Sequence, residues 1–236
     1  MSNAVAEHSP ESANAETSPA QLIAGDSLVL DEFLRRWDAM PDLKFAELID
    51  GVVYMPPPTG IDHGSRELDV AFWLKHYAMR TPGCDVATNA TTILLNNAPQ
   101  PDVHLRILPE CGGQTWVENG LLHGVPELTV EVCHSSTAYD LNQKLELYQS
   151  AGVLEYVAVL IREHEIRWHR LTGKQYQVVE IPPDGILKSQ TFPGLWLQTK
   201  ALLERNATEV LRVLEQGLET EEHRQFVEQL HQAKQN

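Results

Sequence analysis

Three charged residues stand where a merely soluble chain has little reason to place a charge: Asp102, Glu131 and Lys144. An acidic pair with a lysine beside it is equipment for metal-assisted hydrolysis of a phosphodiester. Hard carboxylate oxygens hold Mg²⁺ or Mn²⁺ while leaving coordination positions for water and phosphate. The ion polarises the phosphoryl oxygen and acidifies bound water, and an ammonium can position that water or offset charge in the transition state.

The elements that must position these groups are legible from their periodicity. The stretch 100–108, Gln-Pro-Asp-Val-His-Leu-Arg-Ile-Leu, alternates with period two, so Val103, Leu105 and Ile107 share one strand face and Asp102 shares the other with His104 and Arg106. Residues 127–133 alternate in the same way, with Leu128, Val130 and Val132 on one face and Glu127, Thr129, Glu131 and Cys133 on the other. Glu131 thus lies inside an apolar strand. A helix follows. With Leu141 taken as zero and 100° per residue, Leu145 falls at about 40°, Tyr148 at about 340° and Lys144 at about 300°, which puts the lysine on the apolar stripe. Asn142, Gln143, Glu146 and Gln149 form its solvated face. A buried lysine without a partner loses its charge, so Lys144 is expected to meet the carboxylates of the sheet.

The ordered set Glu47-Leu48-Ile49-Asp50-Gly51, His63, Pro101-Asp102, residues 126–132, Ser136-Thr137, Asp140, Lys144, Tyr148, Ala151-Gly152-Val153 and Glu155-Tyr156 resembles the Uma-two family of restriction-endonuclease-like proteins, within the PD-(D/E)XK nuclease superfamily. The likeness spans roughly residues 28–200 and rests on many short motifs in the right order. It implies an α/β fold, a restriction-endonuclease-like mixed β-sheet core flanked by helices. It also implies a Mg²⁺-dependent (or Mn²⁺-dependent) DNA endonuclease, with Asp102 and Glu131 as metal ligands and Lys144 as a catalytic group. Glu47 becomes a third acidic site residue and His63 a substrate or accessory residue. Two departures mark this chain. Cys133 occupies the superfamily's lysine position two residues after the acid, which fits migration of that lysine to Lys144. The turn Cys133-His134-Ser135 replaces the family's usual leucine, serine and proline, and His134 either adds a ligand or base there or only shapes the turn.

The remaining sequence supplies the frame. Residues 1–26, rich in Ala, Ser, Glu and Pro, read as a disordered tail, residues 27–200 as the nuclease-like domain and 201–236 as a C-terminal helical extension. Ser27 is a candidate cap for a helix over 28–40. Strands on either side of Asp50-Gly51 suit a type I′ hairpin. Asp62 is placed to cap a helix from His63 to about Met79. Residues 85–95 read as a strand or hairpin arm, and 109–123, with Gly112, Gly113 and Gly120, as a loop. Residues 156–160 read as a buried strand and 165–181 as a hairpin around Thr172-Gly173. His164 and His169 are expected at the surface on opposite strand faces. Gly217 is expected to break the last helical stretch, whose apolar stripe either packs on its own core or pairs with a second copy in a homodimer.

Composition narrows the function further. Three cysteines without close pairing indicate neither a disulfide framework nor a cysteine zinc site. No apolar run approaches a membrane span, so the expectation is a cytoplasmic protein with no membrane partner. A formal charge of −15 opposes duplex DNA binding, which neutralises phosphates with Lys and Arg. Residues 25–200 alone keep 23 acids against 14 bases. Three functions therefore stand: a DNA endonuclease, a catalytically silent binding or regulatory relative, and a metal-dependent phosphoesterase acting on another substrate.

Overall fold

The computed structural model describes residues 20–133 and 139–235, with side chains 139–141 left undescribed. His134, Ser136 and Thr137 therefore lie outside the described residues, as do residues 1–19 of the expected tail. From Leu22, itself buried, the chain is packed rather than loose: Gly25 N–H bonds Val53 O and Val53 N–H bonds Asp26 O.

Helix α1 (Leu30–Asp38) leads to the hairpin β1 (Glu47–Ile49) and β2 (Val52–Tyr54). Ser27 does not cap α1. It bridges to Val52, and Val29 holds the N-cap. The Asp50-Gly51 turn has φ of 50° and 76°, the double positive values a type I′ turn requires. Helix α2 (Ile61–Arg80) starts from Gly60, so Asp62 lies within its first turn instead of capping it, and there pairs with Arg66 at 3.2 Å. Strands β3 (Cys84–Thr88), β4 (Thr92–Ile93) and β5 (Val103–Ile107) follow. The expected loop at 109–123 is largely ordered: a 3₁₀ turn at Pro109–Cys111, then β6 (Trp116–Glu118) paired antiparallel with β7 (Leu121–His123). Its Asn119-Gly120 turn, with φ of 51° and 80°, is the signal that a reading of glycine content alone passes over.

After β8 (Leu128–Cys133), a π-helical stretch, Tyr139–Lys144, continues into α3 (Leu145–Ala151). Strands β9 (Glu155–Leu160), β10 (Glu165–Thr172), β11 (Gln175–Val178), β12 (Ile186–Lys188) and β13 (Trp196–Gln198) complete the strand set. Helices α4 (Thr199–Leu203), α5 (Ala207–Leu218) and α6 (Glu221–Gln235) close the chain.

The main sheet runs β11-β10-β9-β8-β5-β3, antiparallel except for the β8–β9 pair, which the α3 crossover makes parallel. Both faces are covered, which makes all six residues of β8 and of β9 buried. One face packs Val103, Leu105, Val130, Val132 and Trp168 against Trp73, Leu74 and Tyr77 of α2 and Val210, Leu214 and Leu218 of α5. The other carries Cys133, Tyr156, Ala158 and Leu160 under Tyr148 of α3. This second cover corrects the surface position expected for His169: it is buried at 7% exposure and packs on Tyr156 and Tyr176. The break expected at Gly217 falls one residue further on, with α5 ending at Leu218 and α6 starting at Glu221. Gly217 itself sits in the last turn of α5, where a Cβ would lie 2.2 Å from Gly194 O, so the glycine permits a close crossing of helix and loop.

Candidate active site

The antiparallel register Val103↔Val130 sets Asp102 opposite Glu131 one rung further out, on adjacent strands and on the same side of the alternation. Pro101 O accepts the Asn89 N–H at 3.1 Å and does not continue the ladder to β8. The Asp102 carboxylate takes up an open ladder group instead, its Oδ2 accepting the Val132 N–H at 2.7 Å.

Lys144 lands where its helical phase predicts. It is 4% exposed, and its Nζ lies 3.1 Å from Glu131 Oε1 and 3.0 Å from Glu47 Oε1. Glu47 reaches this point because the β1–β2 hairpin is bridged to the segment before Asp102 through Leu48 and Ala98, and Glu47 Oε1 also accepts the Gln100 N–H at 2.6 Å. Tyr148, one turn beyond Lys144, donates its hydroxyl to Glu131 Oε1 at 2.7 Å. Burial first, and then the charges of Glu131 and Glu47, push the Tyr148 phenol well above its ordinary range, so it remains a donor. Three elements distant in sequence thus converge on one ammonium, and each buried charge has a partner of opposite sign.

A second group adjoins this one through Asp102. His63 Nε2, from the first turn of α2, lies 3.5 Å from Asp102 Oδ1 and 3.9 Å from Glu67 Oε2. One ligand atom from each of His63, Glu67 and Asp102 falls within 4.8 Å of the others. The far oxygens of both acids are tied back, Asp102 Oδ2 by Val132 N–H and Glu67 Oε1 by Asn89 Nδ2 at 2.5 Å, which fixes the near atoms toward a common point. Burial first, and then the Asp102 charge, raises the Glu67 pKa. Two hard carboxylate oxygens and an imidazole at these separations suit a divalent cation, which would also offset the surplus of acids.

All described residues expected at the site gather there: Asp102, Glu131, Lys144, Glu47 and His63. Glu67 was missed in the sequence. Its signal was available as His63-x-x-x-Glu67, two potential ligands at i,i+4 on one helix face. Glu155, another buried acid, is outside this group. Ser189 Oγ at 2.6 Å, Gln190 N–H at 2.9 Å and Arg170 at 3.2 Å hold it as a structural brace.

A mixed sheet flanked by helices, with acids facing each other on adjacent strands and a lysine delivered from the next helix, defines the restriction-endonuclease-like α/β class. The chain belongs to the Uma2 family, described as "Putative restriction endonuclease", which matches residues 30–200. A crystal structure from Anabaena variabilis ATCC 29413, described as "a putative nuclease belonging to DUF820", is similar at a TM-score of 0.59 and 17% identity, over 75% of this chain and 98% of that one. No curated protein matches the chain.

Proposed function

We propose that the protein is a divalent-metal-dependent endonuclease that hydrolyses DNA phosphodiester bonds, with Mg²⁺ or Mn²⁺ as its ion. The observation that carries this reading is Lys144, held between Glu131 and Glu47, with Asp102 opposite Glu131 on the adjacent strand. The ion, when bound, supplies Lewis acidity and acidified water. Asp102 would hold it, joined by Glu131 from the strand side or by His63 and Glu67 from the helix side. Tyr148 fixes the orientation of Glu131. Lys144, whose ammonium is held by two carboxylates, is the group to stabilise negative charge developing on the phosphoryl oxygens.

The formal charge of −15 favours a second substrate for the same chemistry, a single-stranded or small phosphodiester, for which a negative surface is less of a handicap. One set of assays separates the two. Purified protein should nick supercoiled plasmid with Mg²⁺ or Mn²⁺ and stop on chelation. Lys144→Met, at saturating metal, should lower turnover by about 10² to 10³ while metal binding persists. Unchanged turnover in the folded variant would remove Lys144 from the mechanism. Cleavage of oligonucleotides or small diesters with intact plasmid would transfer the activity to the second substrate class.

A further inference from the structure

Helix α2 buries one face and leaves the other bare. Val70, Trp73, Leu74, Tyr77 and Ala78 point into the core, whereas Ile61 is 88% exposed, Leu68 67%, Phe72 45% and Met79 72%. At 100° per residue these four fall at about 0, 340, 20 and 0°, a single line opposite the buried face and about 27 Å long. Together they present roughly 500 Å² of side-chain surface, in the upper part of the roughly 300–600 Å² of a monomer's largest apolar patch, which is often functional.

The spacing identifies the occupant. The intervals are seven, four and seven residues, a palindrome centred on Val70. When the helix meets an antiparallel copy of itself across a two-fold axis at that level, Ile61 falls on Met79 of the second copy and Leu68 falls on Phe72. Every exposed apolar residue then has an apolar partner, which is the self-complementarity an isologous interface demands. The flank of the stripe toward α5 carries Asp62 and Asp69 in the N-terminal half of the helix and His76 and Arg80 in the C-terminal half. Each is already paired within the chain, Asp62 with Arg66, Asp69 with Arg205, and His76 and Arg80 with Glu215, so the flanks meet as neutralised pairs and the apolar spacing carries the match. The opposite flank offers Gly64 and Ala71, small enough for close approach of two helices, and the exposed Lys75 beside them falls opposite Ser65 of the second copy. The apolar line supplies more than half of the roughly 800 Å² per partner of a standard interface.

We infer that the exposed face of α2 is the docking surface for a second copy of this chain, joined through an antiparallel α2–α2 contact centred on Val70. This goes beyond the proposed hydrolysis and does not depend on it.

The test is the mass of the full-length protein by light scattering across a dilution series from about 100 to 1 μM, in the range of stable interfaces. The expected wild-type mass is twice the chain's 26.5 kDa. Ile61→Glu and Met79→Lys, both at exposed positions, should each keep the wild-type circular dichroism and melting behaviour and raise the dimer dissociation constant by about 100-fold. Mixing those two variants should restore a dimer, because one end of the contact regains Ile61 on Met79 while the other becomes a Glu–Lys pair. A wild-type chain monomeric throughout would overturn the inference, as would a dimer indifferent to both variants or a mixture that fails to reassociate. A monomer that instead binds anionic phospholipid vesicles through Leu68 would give the stripe to a membrane surface and equally overturn it.

Discussion

The two faces of the central sheet are made by the same strands and are built on opposite principles. On the α2 side, Val103, Leu105, Val130 and Val132 meet aromatic and aliphatic side chains, and the cover is dry and interlocked. On the α3 side, alternate residues of those strands are His104, Thr129 and Glu131, and buried polar atoms accumulate. Among the described residues, His104 Nδ1, Thr129 Oγ1 and His169 Nδ1 on this face have no protein partner, as do Gln100 Oε1 nearby and Trp168 Nε1. A buried polar atom without a partner costs about 1–3 kcal/mol. One face therefore holds the fold together, and the other draws on that stability to keep charges and imidazoles at fixed positions around Lys144.

The largest expected effect lies on the dry face. Trp73→Ala removes a ring packed edge-on against Trp168, centroids 6.1 Å apart, together with the hydrogen bond its indole N–H makes to Trp196 O at 3.0 Å. A loss of about 3–5 kcal/mol should appear in urea unfolding, with activity per folded molecule unchanged. A comparable fall in turnover at full folding would show that the faces are not separable.

Acid should expose the cost of the polar face. Burial first, and then the Arg106 charge, lowers His104 from 6.5 to about 4, so its imidazole stays neutral in the folded protein while the unfolded chain takes a proton below about 6.5. Its contribution is present above that value and is lost as pH falls toward about 4, by up to roughly 3 kcal/mol. His169 and His223, also lowered by burial, act in the same direction. Melting temperatures measured from pH 7 to 4 should fall less steeply in His104→Gln. An equal slope in that variant would assign the acid sensitivity elsewhere.

The smallest effect should be a gain. Glu67 is destabilised as an anion by burial and by Asp102, so Glu67→Gln should raise the melting temperature slightly at pH 7. The same change removes a charged oxygen ligand and should weaken Mn²⁺ binding in calorimetric titration by about tenfold or more. Stability gained with metal affinity intact would detach Glu67 from the metal group.

Local pattern made much of this visible in the sequence. Period-two alternation placed Asp102 and Glu131 on one strand face, and the four-residue step from Lys144 to Tyr148 aligned the lysine with the stripe although the turn before it is π-helical. What escaped depended on distant partners. The gathering of Glu47 with Lys144 is made by the Leu48–Ala98 bridge, and no periodicity within Glu47–Ile49 encodes it. His169 looked solvated because alternation distinguishes two faces without saying that both are covered. The helix break after Gly217 was legible, but the contact that demands a glycine there, Gly194 O, is 23 residues away in the chain.

That glycine crossing also bears on when the protein can fold. The family match ends at residue 200, yet Val210, Leu214 and Leu218 of α5 complete the packing of the dry face. During synthesis the sheet and α2 emerge first, with the tryptophan-rich face still uncovered, and the core closes only once Leu218 has cleared the ribosome. A chain stopped at the family boundary would retain the groups around Lys144 and expose the apolar surface that keeps them in place.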